Sequence, residues 1–221
     1  MNKKLFLLLS VLLVATLACS LFSDTTTTTD SAEGDNILFS DDFSDVNSGW
    51  DQVSWEDGLS DYGDGVYRVR VQTPHYNIWA NPGQYFNDDV IVEVDATKVD
   101  GDDDNAFGLI CRYSGSPDSP NYYFFMVSSD GFSVIGKVTS GDSEYLSSEQ
   151  MMPADAVKQG DVTNHLRADC IGDTLTLYVN GKNVATTTDT SFVGGDVGLV
   201  VATFDIPSTE IAFDNLVVRK P

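Results

Sequence analysis

The sequence predicts an all-β protein whose strands form two packed antiparallel sheets, a β-sandwich or jelly roll. Three observations support this class. From residue 37 onward, apolar residues recur at every second position, which is the period of a half-buried strand. Turn-forming residues separate these stretches. Over roughly 180 residues, one open sheet would leave an apolar face exposed, so two sheets must pack together. The clearest alternating stretches are residues 66–71, 90–95, 174–179 and 211–218.

Turn signals place the strands in order along the chain. The strongest hairpin signal is Asn180-Gly181, between residues 175–179 and 184–188, because both turn residues tolerate a positive φ. Residues 153–159 are the one stretch whose pattern suits a helical turn. The other turn signals are Asp64-Gly65, Asn81-Pro82-Gly83, Asp100-Gly101, Asp130-Gly131, Gly172-Asp173 and Gly194-Gly195.

The charge balance excludes one broad class of function. The 221 residues include 34 Asp and Glu against 12 Lys and Arg, a formal net charge of −22. Proteins that bind nucleic acid present clustered Lys and Arg to the phosphates, so we expect no nucleic-acid partner. With 42% hydrophobic and 11% aromatic residues, the chain can fill an ordinary hydrophobic core.

The N-terminus has the layout of a bacterial export signal. Lys3 and Lys4 precede an apolar run that is too short for a membrane-spanning helix, and we assign residues 1–18 to the signal. Thr16-Leu17-Ala18-Cys19 resembles the lipobox of bacterial lipoproteins, in which Cys19 is lipidated after cleavage. The alternatives are a secreted chain cut by ordinary signal peptidase and an uncleaved anchor.

The residues after the signal predict a tethered extracellular protein. Residues 19–36 combine the lipidated cysteine with a Thr-rich, nearly apolar-free stretch that reads as a disordered tether, and the folded domain spans 37–221. Cleavage leaves 10 basic against 34 acidic side chains, a net charge of −24. Such a surface repels anionic headgroups, so we expect the lipid alone to hold the protein at the outer face of the membrane.

Six short motifs carry a resemblance to a known superfamily. In order, residues 39–44 (FSDDFS), 107–113 (FGLICRY), 122–125 (YYFF), 175–181 (LTLYVNG), 195–199 (GDVGL) and 213–215 (FDN) resemble the concanavalin A-like lectin/glucanase jelly rolls. Within that superfamily the chain looks most like the laminin-G-like and 3-keto-disaccharide hydrolase-type domains of bacterial surface proteins. The resemblance covers about residues 38–219 and implies the fold, but domains of this kind differ widely in function.

The cysteines predict a disulfide. Lipidation accounts for Cys19, which leaves Cys111 and Cys170 as a pair in an oxidising compartment. Two buried free thiols are the alternative. A metal or redox site is disfavoured because no Cys-x-x-Cys occurs and no histidine lies at ligand spacing.

The resemblance also implies a structural calcium ion. In such jelly rolls the first and last strands often run side by side, and a carboxylate from each binds Ca²⁺ together with backbone carbonyls. Asp42 in the first strand region and Asp214 in the last are the matching residues. The alternative is that both carboxylates cap turns.

The sequence argues against one catalytic arrangement. Glu93-Val94-Asp95 resembles the start of the Glu-x-Asp-x-x-Glu strand of laminarinase-like glucanases, which use the two Glu as nucleophile and general acid. Lys98 stands where the second Glu would be, so this position offers no proton donor. His165 is interpreted as a packing or hydrogen-bonding residue.

Aromatic residues indicate a binding face. Sugar-binding jelly rolls stack flat rings on the C–H faces of pyranoses, and alternation places Ile110 and Arg112 on the face opposite Phe107 and Cys111. We predict that Tyr76, Trp79, Arg112 and Tyr122 bind ligand on the concave sheet, with Tyr122 and Phe124 pointing away from the core. The alternative is that these rings are core residues or ordinary strand pairs.

The sequence thus predicts a monomeric, non-catalytic, lipid-anchored extracellular module that binds carbohydrate and holds a structural Ca²⁺. Two other functions remain open. One is a glycoside hydrolase or lyase acting on keto-disaccharides or β-glucans, and the other is a laminin-G-like domain for protein adhesion.

Overall fold

The computed structural model describes residues 36–221. The predicted export signal, the predicted lipidation at Cys19 and the predicted tether up to residue 35 lie outside the described residues. Within residues 36–221, no helix has the length and apolar content needed to cross a membrane.

Strands dominate the described part of the chain and form two antiparallel sheets, which confirms the predicted fold class. The nine-stranded sheet contains β1 (Ile37–Asp41), β2 (Val53–Trp55), β3 (Gly58–Gly63), β4 (Val66–Val71), β6 (Val90–Gly101), β12 (Thr163–Ile171), β13 (Thr174–Val179), β14 (Lys182–Thr188) and β16 (Thr209–Arg219). The seven-stranded sheet contains β5 (Asn77–Ala80), β7 (Asn105–Ser116), β8 (Ser119–Val127), β9 (Phe132–Thr139), β10 (Asp142–Tyr145), β11 (Met152–Pro153) and β15 (Asp196–Thr203).

The strand order is that of a jelly-roll sandwich. The larger sheet runs β14-β13-β12-β6-β16-β4-β3-β2, and β1 pairs with β16. The smaller sheet runs β10-β9-β8-β7-β15-β5, and β11 pairs with β9. Strands distant in sequence therefore lie side by side, as the β6–β16 and β7–β15 pairs show.

The core lies between the sheets and follows the alternation of the sequence. On β4, Tyr67, Val69 and Val71 are fully buried, whereas Arg68 and Arg70 are partly exposed on the outer face. The predicted hairpin between β13 and β14 is also confirmed, because Asn180 and Gly181 have φ values of 50° and 80°.

The predicted disulfide is present. Cys111 on β7 is bonded to Cys170 on β12, so the bond joins the smaller sheet to the larger one. The two residues are 59 positions apart. Closing a loop of that length in the unfolded chain corresponds to roughly 4 kcal/mol of stabilisation.

Asp189 anchors the loop that leads into β15. Its carboxylate accepts hydrogen bonds from the Tyr123 hydroxyl at 2.7 Å and from Lys137 Nζ at 2.8 Å. Burial raises the pKa of Asp189, but the hydrogen bonds from Lys137, Ser191 and Tyr123 outweigh burial and hold the pKa well below its ordinary value.

Candidate functional site

The outer face of the seven-stranded sheet carries a second apolar cluster, separate from the core between the sheets. Its buried members are Ile110, Tyr122, Phe124, Val134, Val138 and Val200. Partly buried around them are Trp79, Tyr113, Met126, Tyr145 and Met151. Tyr122 and Phe124 thus point away from the main core, as the sequence predicted, whereas their neighbours Tyr123 and Phe125 belong to that core.

Strand register sets the position of the rings. Tyr122 on β8 lies opposite Val138 on β9, and Phe124 lies opposite Gly136. A side chain at Gly136 would collide with Phe124, since an added Cβ would lie 2.2 Å from Cζ of that ring. The missing side chain lets the Phe124 ring pack against β9 at Gly136, and the ring meets the Tyr145 ring edge-on at 6.0 Å between centroids.

A cavity of about 210 Å³ opens beside these rings. Small side chains form its floor, because Ala106 on β7 and Ala202 on β15 lie opposite each other in the sheet. The remaining lining residues are His75, Tyr76, Asn77, Tyr122, Phe124, Met126, Val138, Ser143, Tyr145, Val200, Thr203 and Phe204. The lining contains no Asp or Glu.

Tyr122 is a nearly buried tyrosine in the lining of this cavity. The residue is only 3% exposed, and its hydroxyl has no hydrogen-bond partner within residues 36–221. Burial raises the pKa of Tyr122, and burial likewise raises the pKa of Tyr145. Both phenols are therefore neutral at physiological pH, so each can donate and accept a hydrogen bond.

The structure brings three of the four predicted ligand-binding residues together. Tyr76 and Tyr122 line the cavity, and the Trp79 ring lies 6.2 Å from the Tyr122 ring. On the other side, Tyr113 stacks on Tyr122 with ring centroids 6.0 Å apart. Trp79, Tyr122 and Tyr113 thus form a continuous aromatic row across the outer face of the sheet.

The predicted placement of Arg112 on this face is wrong. Its side chain is 4% exposed and lies with the core side of the sheet, where its guanidinium is 5.9 Å from the Tyr123 ring centroid. It donates hydrogen bonds to the backbone oxygens of Phe192 at 2.9 Å and Gly172 at 2.8 Å. It also pairs with Asp89 at 3.2 Å. Arg112 therefore holds strand ends and loops together.

A β-bulge causes this reversal. Cys111 pairs with Tyr123 and Ser114 with Asn121, so Arg112 and Tyr113 together oppose the single residue Tyr122. Arg112 takes a left-handed conformation with φ 57°. The extra residue shifts the alternation by one position, which turns Arg112 inward and Tyr113 outward.

Several cavity residues were not predicted. Tyr145 lies on the short edge strand β10, and His75, Asn77 and Phe204 come from the ends of β5 and β15. These segments are far apart in sequence and lack strong alternation, so only the order of strands in the sheet reveals that they meet. The aromatic side chain of Tyr145 was the one local feature that could have marked it as a binding residue.

The two predicted calcium ligands flank the paired first and last strands. β1 and β16 run side by side, as expected, with Asp41 opposite Leu216. Asp42 Oδ1 accepts hydrogen bonds from Ser44 N at 3.0 Å and Ser44 Oγ at 2.6 Å, and these bonds lower the pKa of Asp42. Asp214 Oδ1 accepts a bond from Asn215 N at 2.7 Å. Each carboxylate has one oxygen without a hydrogen-bond partner, but within residues 36–221 no three Asp, Glu, His or Cys side chains are placed to hold a metal, so a Ca²⁺ site here would depend on backbone carbonyls and stays a prediction.

The glucanase-like carboxylates lie on the outer face of the other sheet, where Glu93 forms an ion pair and Asp95 forms a hydrogen bond. Glu93 pairs with Arg219 at 2.5 Å, and Asp95 pairs with His165 at 2.8 Å. Lys98, at the position of the second glucanase Glu, is 6% exposed and pairs with Asp161 at 2.9 Å. These contacts are typical of side chains that stabilise the surface of a sheet.

Solved proteins share this fold. A carbohydrate-binding module, CBM66 from Bacillus subtilis, matches with a TM-score of 0.61 at 19% identity, covering 78% of this chain and 96% of the module. A Bacillus licheniformis beta-glucanase matches with a TM-score of 0.60 at 11% identity, covering 83% of this chain and 98% of the glucanase. A lichenase derived from a mouse hindgut metagenome matches with a TM-score of 0.61 at 11% identity, covering 82% of this chain and 98% of the lichenase. No protein-family description and no curated protein sequence matches this chain.

At these identities the likeness establishes the fold. The chain has the two-sheet jelly-roll fold of these proteins, the fold that its sequence motifs implied. The same architecture carries a binding module in one of these proteins and hydrolases in the others, so function has to be argued from the site of this chain.

Proposed function

We propose that this protein is a non-catalytic carbohydrate-binding module, displayed on the outer face of a bacterial membrane by a lipid anchor. The observation that carries the proposal is the cavity on the outer face of the seven-stranded sheet, which is lined by aromatic residues that include Tyr122, whose hydroxyl has no hydrogen-bond partner within residues 36–221. Small-molecule sites combine apolar walls with a few polar groups in this way.

The cavity suits a pyranose ring. Tyr76, which is exposed, and the partly buried Tyr145 offer aromatic surface for the apolar C–H face of a sugar. The hydroxyls of Tyr122 and Tyr145 can exchange hydrogen bonds with sugar hydroxyls, and Asn77 at the cavity wall offers an amide. The cavity therefore offers both an aromatic surface and hydrogen-bonding groups, the two features that carbohydrate binding requires.

The lining supports binding over hydrolysis. Glycosidases need two carboxyl groups about 5 to 9.5 Å apart across the scissile bond. The walls of this cavity carry no Asp or Glu, and the carboxylates of the adjoining cavity, Asp104 and Asp130, lie beyond Tyr145 and Phe204. The glucanase-like Glu93 and Asp95 contact Arg219 and His165 on the other sheet. This arrangement favours recognition without cleavage.

Export and anchoring complete the proposal. The sequence motif ending at Cys19 and the inter-sheet disulfide both suit a protein that matures outside the cytoplasm. Mass spectrometry of the mature protein should find an N-terminal, lipid-modified Cys19. An intact and unmodified Cys19 would refute the anchor and leave the binding proposal standing.

A glycan array followed by calorimetric titration tests the binding function. Wild-type protein should bind a defined set of glycans. Tyr122→Phe removes one oxygen and keeps the ring, so the affinity for the best glycan should fall about fivefold, the equivalent of one hydrogen bond of roughly 1 kcal/mol.

Tyr178→Phe is the matched control. Tyr178 lies on β13 in the other sheet, under the guanidinium of Arg167 at 5.0 Å, and its variant should bind as wild type does. Equal losses in both variants would contradict the cavity as the site. Cleavage of any arrayed glycan by wild-type protein would favour the hydrolase, and a silent array with protein partners captured instead would favour the adhesion domain.

A further inference from the structure

A second cavity adjoins the aromatic one. It has a volume of about 380 Å³ and shares two of its walls, Tyr145 and Phe204, with the first cavity. Its other aromatic wall is Phe132. Unlike the first cavity, it contains two carboxylates, those of Asp104 and Asp130. The two cavities therefore form one site with an aromatic half and an acidic half.

The carboxylates of the acidic half lack basic partners. No Lys or Arg within residues 36–221 forms an ion pair with Asp102, Asp104 or Asp130, whereas the neighbouring Asp103 is paired with Lys98. Burial raises the pKa of Asp104, and the charges of Asp130, Asp102 and Asp205 raise it further. Negative charge is thus concentrated beside the aromatic rings without compensation in the folded chain.

The arrangement does not suit a metal ion. Ca²⁺ requires six to eight oxygens that converge on one point. In the part of the chain that the structure describes, no three Asp, Glu, His or Cys side chains lie close enough together to hold a metal. Spread carboxylates next to aromatic rings suit a larger organic cation, because ring faces also attract positive charge.

The aromatic half independently points to a ligand. Tyr122 lines this half and is only 3% exposed, and its hydroxyl forms no hydrogen bond within residues 36–221. No group of residues 36–221 satisfies this hydroxyl, so a polar ligand atom can form a hydrogen bond with it in place of water.

We propose that the joined cavities bind a saccharide that carries a protonated amino group, such as a glucosamine residue without its acetyl group. This inference rests on the proposed carbohydrate-binding function and adds the ligand class. The sugar ring lies in the aromatic half against Tyr76 and Tyr145, and the ammonium group lies beyond Tyr145, next to Asp104 and Asp130. Sugars with carboxylate or sulfate groups are repelled by the same charges.

Three trisaccharides with one backbone test the ligand class. The β-1,4-linked trimers of glucose, glucosamine and N-acetylglucosamine differ only at carbon 2, which carries a hydroxyl, an ammonium or an acetamido group. Titration of the full-length protein at low salt should give the glucosamine trimer at least a fivefold higher affinity than the other two. The preference should collapse in 0.5 M NaCl, because salt screens exposed charges.

Variants locate the charge. The double variant Asp104→Asn and Asp130→Asn should bring the ratio of glucosamine to N-acetylglucosamine affinities close to one. Asp118→Asn, in the exposed turn between β7 and β8, removes one negative charge elsewhere and should leave that ratio as in wild type. A ratio that falls equally in both would show a general effect of net charge and would overturn the inference.

The outcomes separate this inference from the function on which it rests. Equal affinity for the three trimers, or binding of other neutral glycans alone, would overturn the amino-sugar preference and keep carbohydrate binding. Binding of no glycan would refute both. Competition of CaCl₂ with the glucosamine trimer beyond that of NaCl at equal ionic strength would show a metal site at the carboxylates and would also overturn the inference.

Discussion

Replacing Arg112 by alanine should destabilise the protein without touching the candidate site. The guanidinium donates to the backbone oxygens of Gly172 and Phe192 at 2.8 and 2.9 Å, and it pairs with the partly exposed Asp89. A hydrogen bond to a charged group contributes about 1.5–3 kcal/mol. Because water can reach Asp89 and partly replace the lost contacts, we expect a loss of about 3 kcal/mol.

Thermal unfolding gives the magnitude directly. For a domain of this size, about 3 kcal/mol corresponds to a fall in Tm of roughly 6 to 12 °C. Carbohydrate binding by the folded Arg112→Ala variant should equal that of wild type, since the side chain lies on the core side of its sheet. Lys182→Ala, on the exposed β14, is the control and should leave the Tm nearly unchanged.

The opposite result would refute this assignment. A Tm within about 2 °C of wild type, combined with loss of glycan binding, would mean that Arg112 faces the ligand as the simple alternation of β7 predicted.

Further predictions concern stability. Replacing both Cys111 and Cys170 by serine should cost roughly 4 kcal/mol in urea unfolding, and an unchanged midpoint, or two free thiols in the unfolded unreduced protein, would refute the bridge. If Asp42 and Asp214 bind Ca²⁺, calcium at about a hundred times its dissociation constant should add roughly 2.7 kcal/mol in wild type and nothing in the Asp→Asn variants, whereas a Tm unmoved by chelator would refute the site. Folding lowers the pKa of Asp189. The ionised carboxylate therefore stabilises the fold above the unfolded-state pKa of about 3.9, and this stabilisation is lost as the pH falls below that value. The stability difference between wild type and Asp189→Asn should therefore shrink below about pH 4, and a constant difference would contradict the ion pair.

Much of the fold could be predicted because its signals are local. Alternation along a strand decides which side chains face the core, and this placed Tyr67, Val69 and Val71 inside. The Asn180-Gly181 turn follows from the backbone conformations that those two residues tolerate.

The site was predicted only in part because its remaining features depend on pairing between strands. The bulge at Arg112 and Tyr113 exists because β7 must match β8 with one residue in excess, and nothing in the sequence of β7 alone marks that position. Tyr145 and Phe204 reach the cavity through the order of strands in the sheet, since β10 and β15 lie on opposite sides of β8. Local patterns do not carry that information.

A crystal structure of the protein in complex with its best glycan tests the central claim most directly. We expect one sugar ring in the cavity on the outer face of the seven-stranded sheet, in contact with the Tyr122 hydroxyl and the Tyr145 ring. A sugar bound on the outer face of the nine-stranded sheet, near Glu93 and Asp95, would contradict the claim. It would move the site to the residues that resemble the catalytic strand of glucanases.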